Sequence, residues 1–456
     1  MAIVELGFEY RREVVALVFR ILRAGDSCCI VGISGTAKSN LFRHLLNPEV
    51  RRHYLGDAWQ SYAFLAIDSH ALAELSGRAM YHLLLERLSA EIRERGAGGD
   101  LAATVEQFHQ QALPSTDSLE WQHAFTQAVR AVMTANVTQR LVFLFDQFDE
   151  VYEALDPRFF ANLRSIRDDF KYRVSYVTFA REELPQIRSD PEHDEFYELL
   201  SPNVIGLGCY EYDDAWTLLR RVGGRYDLEP EPSLGDGLIA LTGGHPGLLK
   251  AAYMTTMRGS SAPSERDQAA IEVLLADPDI RTECRKLWDS IRQDERQRLV
   301  KLARGGSISP GNPDVLRRLA LKGLISEDGE VPVFCPLFAE YVSRQASFPA
   351  TEPELPDQPI YIDSAGEVWV EGRKLEPPLP SLGFALLKYL LSRPGELCTR
   401  DEIIEAIYSD TVQRKGVSDD ALNSVVQRLR KRIEPNRKPP KYIITVHGLG
   451  YRLEVQ

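Results

Sequence analysis

The sequence predicts a multidomain protein of α/β plus α+β class: a mainly parallel α/β sheet, a long helical stretch, and a smaller mixed unit. Three observations predict it. Strand-length apolar runs at 27–31, 62–68, 141–145, 173–179 and 203–208 alternate with helical patterns, as in a parallel sheet with helices on both faces. From 211 to 343 the pattern is almost wholly helical. Residues 346–359 (ASFPATEPELPDQP) are rich in proline and acid, which is linker composition, and a mixed unit follows.

The elements follow in order. After the second apolar run, a helix is expected from Ala71 to about Arg95, then an exposed Gly/Ala/Ser-containing connection over 96–120, then a helix near 121–136. Helical segments 280–292, 294–303 and 313–322 precede KGLISEDGEVPVF, with a turn at Glu327–Gly329, and a last helix, FAEYV. Three helices followed by a hairpin predict a winged helix. In the final unit, 360–376 reads as a short β-platform and 379–397 as a helix with Phe384, Leu387 and Leu391 on one face. Residues 399–408 begin with Thr399 as N-cap and Glu402 three later, a capping box. Residues 418–434, capped by Ser418 or Asp419, repeat Leu422, Val425, Val426, Leu429 and Ile433 at helical spacing, and 441–455 form a terminal hairpin.

Composition narrows the classes. A chain of 456 residues, 26% charged, has enough core to need no disulfide staples. The six cysteines form no CxxC pair and read as free thiols in a reducing compartment. No apolar run approaches 18 residues, and MAIVELGFEYRRE lacks a basic region followed by an apolar one. A cytoplasmic location, with no membrane span and no signal peptide, is therefore expected. The net charge of −12 argues against coating nucleic acid along the whole length. Residues 380–456 carry 13 Lys/Arg against 9 Asp/Glu, so any DNA contact is expected at that end.

The loop GISGTAKS, Gly32 to Ser39, follows a strand and opens a helix, the context a phosphate-binding P-loop requires. Its successive N–H groups, from Gly32, Ser34, Gly35, Thr36 and Ala37 on to Asn40, would wrap a phosphate at a helix N-terminus. Lys38 would reach the β- and γ-phosphates of ATP, and the Ser39 hydroxyl would ligate Mg2+. Ala37 stands where the pattern has its last glycine. An added methyl where the chain enters a helix is expected to be harmless. In LVFLFDQFDE, 141–150, an apolar strand delivers Asp146 to Mg2+, with Asp149 and Glu150 near enough to polarise an attacking water.

These motifs, in this order, resemble the STAND branch of the AAA+ ATPases, which includes NACHT and NB-ARC proteins. The GTAKS form also resembles P-loops of the MCM and MoxR branches. FEYRRE, 8–13, is similar to the FxGRE segment, with Tyr10 replacing its glycine; the resemblance implies that Arg11 lies near adenine. Asp146–Glu150 resembles the DGxDE form of the Walker B strand. FAREE, 179–183, puts Arg181 where the family has a sensor arginine near the γ-phosphate. GGHPGLL, 243–249, is similar to the lid motif GxP, which implies that Pro246 packs on the base. In such proteins a winged helix packs on the nucleotide site, and the middle segment here has no basic helix to suit a DNA role.

Residues 359–456 resemble the OmpR/PhoB-type effector domain. The third helix carries Asn423, Ser424, Gln427, Arg428, Arg430, Lys431 and Arg432 away from its apolar stripe, and the hairpin tip carries His447 and Tyr451. Amide and arginine side chains can read base edges in the major groove while Lys and Arg hold phosphates. The receiver domain usual before this effector has no counterpart; the ATPase module takes its place.

The expected organisation is thus a P-loop core at 1–208, a helical lid at 209–262, a middle winged helix at 263–345, a linker at 346–358 and a DNA-binding winged helix at 359–456. The resemblance implies a transcriptional regulator bound to ATP or ADP with Mg2+, self-associating with nucleotide state and binding double-stranded DNA. An origin-recognition- or transposition-like ATPase, or a defence sensor that represses its own operon, fits the same motifs.

Overall fold

The computed structural model describes residues 6–96, 99–188, 191–258, 268–306, 312–325, 333–345, 360–362, 368–370, 373–375, 379–407, 419–434, 440–446 and 449–454. The chain divides into two compact units, Met1–Ala346 and Ser347–Gln456.

The first unit opens with α1 (Arg12–Ala24), β1 (Cys28–Val31), α2 (Lys38–Leu46), α3 (Pro48–Leu55) and β2 (Tyr62–Asp68). Next come α4 (Gly77–Glu94), α5 (Gly99–Ala112), α6 (Ser118–Thr134), β3 (Arg140–Asp146), α7 (Phe148–Ala154), α8 (Pro157–Asp169) and β4 (Val174–Ala180). Then follow α9 (Leu184–Ile187), α10 (Pro191–Tyr197) and β5 (Val204–Gly206). The strands form one sheet in the order β2-β3-β4-β1-β5, and every pairing in it is parallel. Its strands are buried runs rather than alternating ones, as expected of a sheet covered on both faces. One strand, β4, separates β1 from β3, so the loops after β1, β3 and β4 share one edge, where open α/β sheets bind ligands.

Two expectations change here. Residues 96–120 are not an exposed connection. Within them α5 packs against α4 and α6, with Val105 and Ala112 buried and Leu101, Ala102 and Phe108 against the same core. These positions have helical spacing, masked by the surrounding Gly and Ala. The preceding helix starts at Gly77, not Ala71, because Ser76 caps it by accepting from the Ala79 N–H at 3.2 Å.

A helical region follows: α11 (Tyr212–Gly223), α12 (Pro232–Thr242), α13 (Pro246–Met257) and α14 (Gln268–Ala276). Beyond it lie α15 (Pro278–Asp289), α16 (Gln293–Ala303), α17 (Pro313–Leu321) and α18 (Pro336–Ser343). An antiparallel bridge joins Ile325 to Val333. It closes the expected hairpin, whose turn at Glu327–Gly329 lies outside the described residues. The end of α17 meets the end of β5 very closely. Gly323 has φ +64, and a Cβ there would lie 2.7 Å from the Gly208 Cα, so no larger residue fits.

The second unit holds an antiparallel sheet of β6 (Ile360–Ile362), β7 (Val368–Val370) and β8 (Arg373–Lys374). After it come α19 (Ser381–Leu391), β9 (Cys398–Thr399), α20 (Arg400–Ile407), α21 (Asp419–Ile433), β10 (Ile443–Val446) and β11 (Gly450–Leu453). The helix α19 stops short of 397, near Pro394, because the residue before a proline avoids the α region. The capping box is present: Thr399 Oγ1 accepts from the Glu402 N–H at 3.4 Å, and Glu402 Oε2 accepts from the Thr399 N–H at 2.8 Å. Leu422, Val425, Val426, Leu429 and Ile433 of α21 are buried with Leu386, Leu387 and Leu390 of α19 in a core of this unit's own. Ser418 lies outside the described residues. Among the described residues, no helix is long and apolar enough to cross a membrane, and no group of three or more His, Cys, Asp or Glu side chains is placed to hold a metal ion.

Candidate nucleotide site and nucleic-acid interface

A cleft of about 400 Å³ lies over the shared sheet edge, lined by Ser34, Gly35, Ala37, Lys38, Ser39, Asn40, Asp146, Gln147, Asp149 and Arg181. The structure thus joins residues from three separate motifs. A wider groove of about 770 Å³ runs along α6, but no strand-end loop opens into it, and size alone does not locate chemistry.

The loop backbone is strained where the sequence breaks the pattern. Ala37 has φ 64 and ψ 35, in the left-handed region. The chain has not yet entered the helix there, so the expectation of a harmless methyl is corrected: it costs about 1–2 kcal/mol relative to glycine. Lys38 folds over the loop, its Nζ donating to the Gly32 carbonyl and to that of Ile33 at 3.0 Å. Burial lowers its ammonium to about 8, and nearby Asp149 partly offsets this. Thr36 Oγ1 donates to the Ile33 carbonyl at 2.9 Å. Ser39 sits in the first turn of α2, and Asn40 accepts from Arg43 at 3.5 Å.

Asp146, 6% exposed at the end of β3, accepts from the Gln147 N–H at 3.0 Å. The buried carboxylate and the Ser39 hydroxyl are hard oxygen donors of the kind Mg2+ takes. Arg181 lies across the acidic pair: its Nε donates to Asp149 at 2.5 Å and its Nη2 to Glu150 at 3.1 Å. His70, from the loop after β2, lies 3.8 Å from Glu150 and 3.1 Å from the Gln147 amide.

Arg11 and Pro246 do not line this cleft. Arg11 is 8% exposed and gives its guanidinium to the carbonyls of Thr36 and Gly208, both at 2.9 Å. Pro246 is buried as the first residue of α13.

Three features were missed. His245, fully buried, caps α13 through Nδ1 and bonds the Ser34 carbonyl through Nε2 at 3.2 Å. Glu183 takes two bonds from Arg317 of α17, at 3.0 and 2.7 Å. Glu182 takes one from Lys322 at 2.5 Å, and that ammonium also holds buried Glu295. GGHPG carries a signal for the first, a histidine placed directly before the proline that opens the helix. Nothing local marks the other two, whose partners lie more than a hundred residues away.

In the second unit α21 presents Ser424, Gln427, Arg428 and Lys431 as exposed and Arg432 as half-buried. Arg430 is turned to the hairpin, donating to the Ile443 carbonyl at 2.6 Å and Thr445 Oγ1 at 2.7 Å. Tyr451 is buried and donates to Asn423 at 2.5 Å. Asn423, Arg430 and Tyr451 tie α21 to the hairpin, because they sit where the helix meets β10 and β11. His447 lies outside the described residues.

Fold and site define a P-loop NTPase module joined to a winged-helix DNA-binding domain of the response-regulator type. Residues 7–252, more than half of the chain, match the family model Novel STAND NTPase 1, and the chain belongs to that family. Residues 375–453 match Transcriptional regulatory protein, C terminal. Over 76 residues the chain is 38% identical to Sensory transduction protein RegX3 of Mycobacterium leprae, covering 17% of this chain and 37% of that one. Protein PetR of Rhodobacter capsulatus is 37% identical over 71 residues, 15% of this chain and 30% of that one. The chain thus spans about a third of the length of these curated relatives. Among solved structures, the Walker-type ATPase PABY2304 of Pyrococcus abyssi aligns with 73% of this chain and 95% of its own, at 16% identity and TM-score 0.45.

Proposed function

We propose that this chain is an ATP-dependent transcriptional regulator, in which the nucleotide state at the P-loop controls how its C-terminal winged helix is presented to duplex DNA. One observation carries the switch. Three consecutive residues after β4 face two ways: Arg181 holds the acids Asp149 and Glu150, while Glu182 and Glu183 hold Lys322 and Arg317 of the middle helical region. A change in charge at the acids therefore reaches that region through three residues of chain.

In this reading Lys38 and the loop N–H groups bind the β- and γ-phosphates, and Ser39 and Asp146 hold Mg2+. The ion supplies charge neutralisation on the phosphates when bound. Asp149 orients and deprotonates the attacking water, with Glu150 beside it. Arg181 moves from the acids toward the γ-phosphate when nucleotide binds, drawn by the added negative charge, and that movement pulls on Glu182 and Glu183. Assembly of several chains would bring winged helices together on adjacent DNA sites and raise their effective concentration. The exposed Gln427 and Arg428 suit base edges, and Lys431 suits phosphate.

The nucleotide half is tested by Lys38→Ala in calorimetric titration with ATP and ADP. Affinity should fall on the order of a hundredfold, as for a lost charge-assisted contact, with melting little changed. Wild-type affinity in the variant would remove the site.

A further inference from the structure

The helix α13 touches the P-loop through residues that do not line the cleft. His245 Nδ1 accepts from the Leu248 N–H at 3.2 Å, so the ring hydrogen sits on Nε2, which donates to the Ser34 carbonyl at 3.2 Å. Two bonds thus fix one neutral tautomer, and burial, which draws the imidazole down to about 4, keeps it neutral. One residue on, the Gly247 N–H donates to the Gly35 carbonyl at 3.3 Å. One further, Arg11 Nη2 donates to the Thr36 carbonyl at 2.9 Å. Gly35 has φ +81, and a Cβ there would lie 2.6 Å from His245 Cε1, so the imidazole rests directly on the loop.

A trans peptide is planar, with its C=O and N–H pointing opposite ways. Holding the carbonyl of residue i from behind therefore aims the N–H of residue i+1 forward. The three held carbonyls, of Ser34, Gly35 and Thr36, aim the N–H groups of Gly35, Thr36 and Ala37. Among the described residues, no backbone carbonyl accepts from any of these three. They are the donors a phosphate nest needs.

We propose that His245 is a positioning residue for phosphate binding: the lid, through this imidazole, holds the P-loop peptides in the orientation that binds a diphosphate. This rests on the nucleotide-binding reading above and gives the lid a role distinct from contact with the base. By reciprocity, a bound diphosphate holds the lid closed as strongly as the closed lid favours the diphosphate.

Two variants separate this from a helix-capping role. Asn at 245 keeps an acceptor for the Leu248 N–H but is too short to reach the Ser34 carbonyl. Gln places an amide N–H where Nε2 stands. ADP affinity is measured by calorimetry on the full chain, with melting in the absence of nucleotide. His245→Asn should weaken ADP on the order of tenfold, the worth of one lost bond, with melting near that of wild type, and His245→Gln should recover most of that loss. If the Asn variant binds ADP like wild type, or if Gln fails to recover affinity, the positioning role is wrong. If the wild-type chain itself does not bind ADP, the nucleotide reading falls first, and this inference with it.

Discussion

Lys322→Met probes the buried charges through which the nucleotide site meets the middle helical region. Lys322 is 1% exposed and Glu295 0%. The ammonium donates to both Glu295 oxygens, at 2.9 and 2.7 Å, and to Glu182. Methionine keeps the stem and removes the charge. Glu182 then loses its cation in a place where burial already raises its carboxyl and Lys322 lowers it. Glu295 keeps Arg318 at 3.1 Å and the Arg292 N–H at 3.2 Å. Breaking a buried pair costs about 3–5 kcal/mol; because Arg318 remains, the lower end, about 3 kcal/mol, is expected. Adding Glu295→Met removes the stranded carboxylate, so the double variant should lose less than the two single losses together, with a coupling of about 2 kcal/mol. Urea unfolding followed by tryptophan fluorescence reads this, since Trp288 packs under Arg296 in the same region. A chain of two units need not unfold in one step, and the chain has five tryptophans, so the comparison uses a background in which Trp288 is the only tryptophan, the other four replaced by Phe. A loss under about 1 kcal/mol for Lys322→Met, or additive single losses, would show that the cluster does not hold these elements together.

Asp149→Asn should slow phosphate release by about 10²–10⁴-fold while ATP stays bound, because it removes the base and not the Mg2+ ligand; unchanged turnover would exclude Asp149. His245, with its pKa lowered to about 4, binds its proton in the unfolded chain before the folded one. Its stability contribution is therefore complete above the unfolded value of about 6.5 and is lost as pH falls toward 4, by about 1.4 kcal/mol per pH unit. Urea midpoints should fall between pH 7 and pH 5 and fall less steeply in His245→Asn; equal slopes would contradict the buried neutral ring. On DNA, Gln427→Ala and Arg428→Ala should each cost about 1–3 kcal/mol and relax sequence preference, while Lys431→Ala should weaken all sequences and lower the salt slope by about 1. Arg430→Ala should instead lower the melting temperature of the second unit, which calorimetry resolves; no change there would mean that its bonds to the hairpin are idle.

Much of this fold is legible in the chain because a buried parallel strand must be apolar along its whole length. Runs such as LVFLF mark β3 without any partner being known. The cleft is legible for the same reason: P-loop, Asp146 and Arg181 each follow such a run, and a parallel sheet brings strand ends to one edge. What escapes is set by tertiary contact. The apolar stripe of α5 is diluted by alanine and glutamine, so its residues read as a connection. Helical periodicity correctly places Asn423 and Arg430 off the apolar stripe of α21, but cannot tell solvent from the neighbouring hairpin that takes both. Ala37 is a local exception of another kind, a non-glycine residue kept in left-handed backbone where the pattern expects glycine. Lys322, Glu182 and Glu295 form one cluster from three distant stretches, and no spacing rule connects them.

The central claim is that the nucleotide governs DNA occupancy. Its most direct test is titration of the full chain onto duplex DNA bearing two adjacent sites, recovered by selection from genomic fragments, with saturating ATP or ADP and Mg2+. Occupancy should be half-maximal at a protein concentration lower in ATP than in ADP by on the order of tenfold or more, because joined winged helices gain effective concentration. Identical binding curves in ATP and ADP would contradict the account.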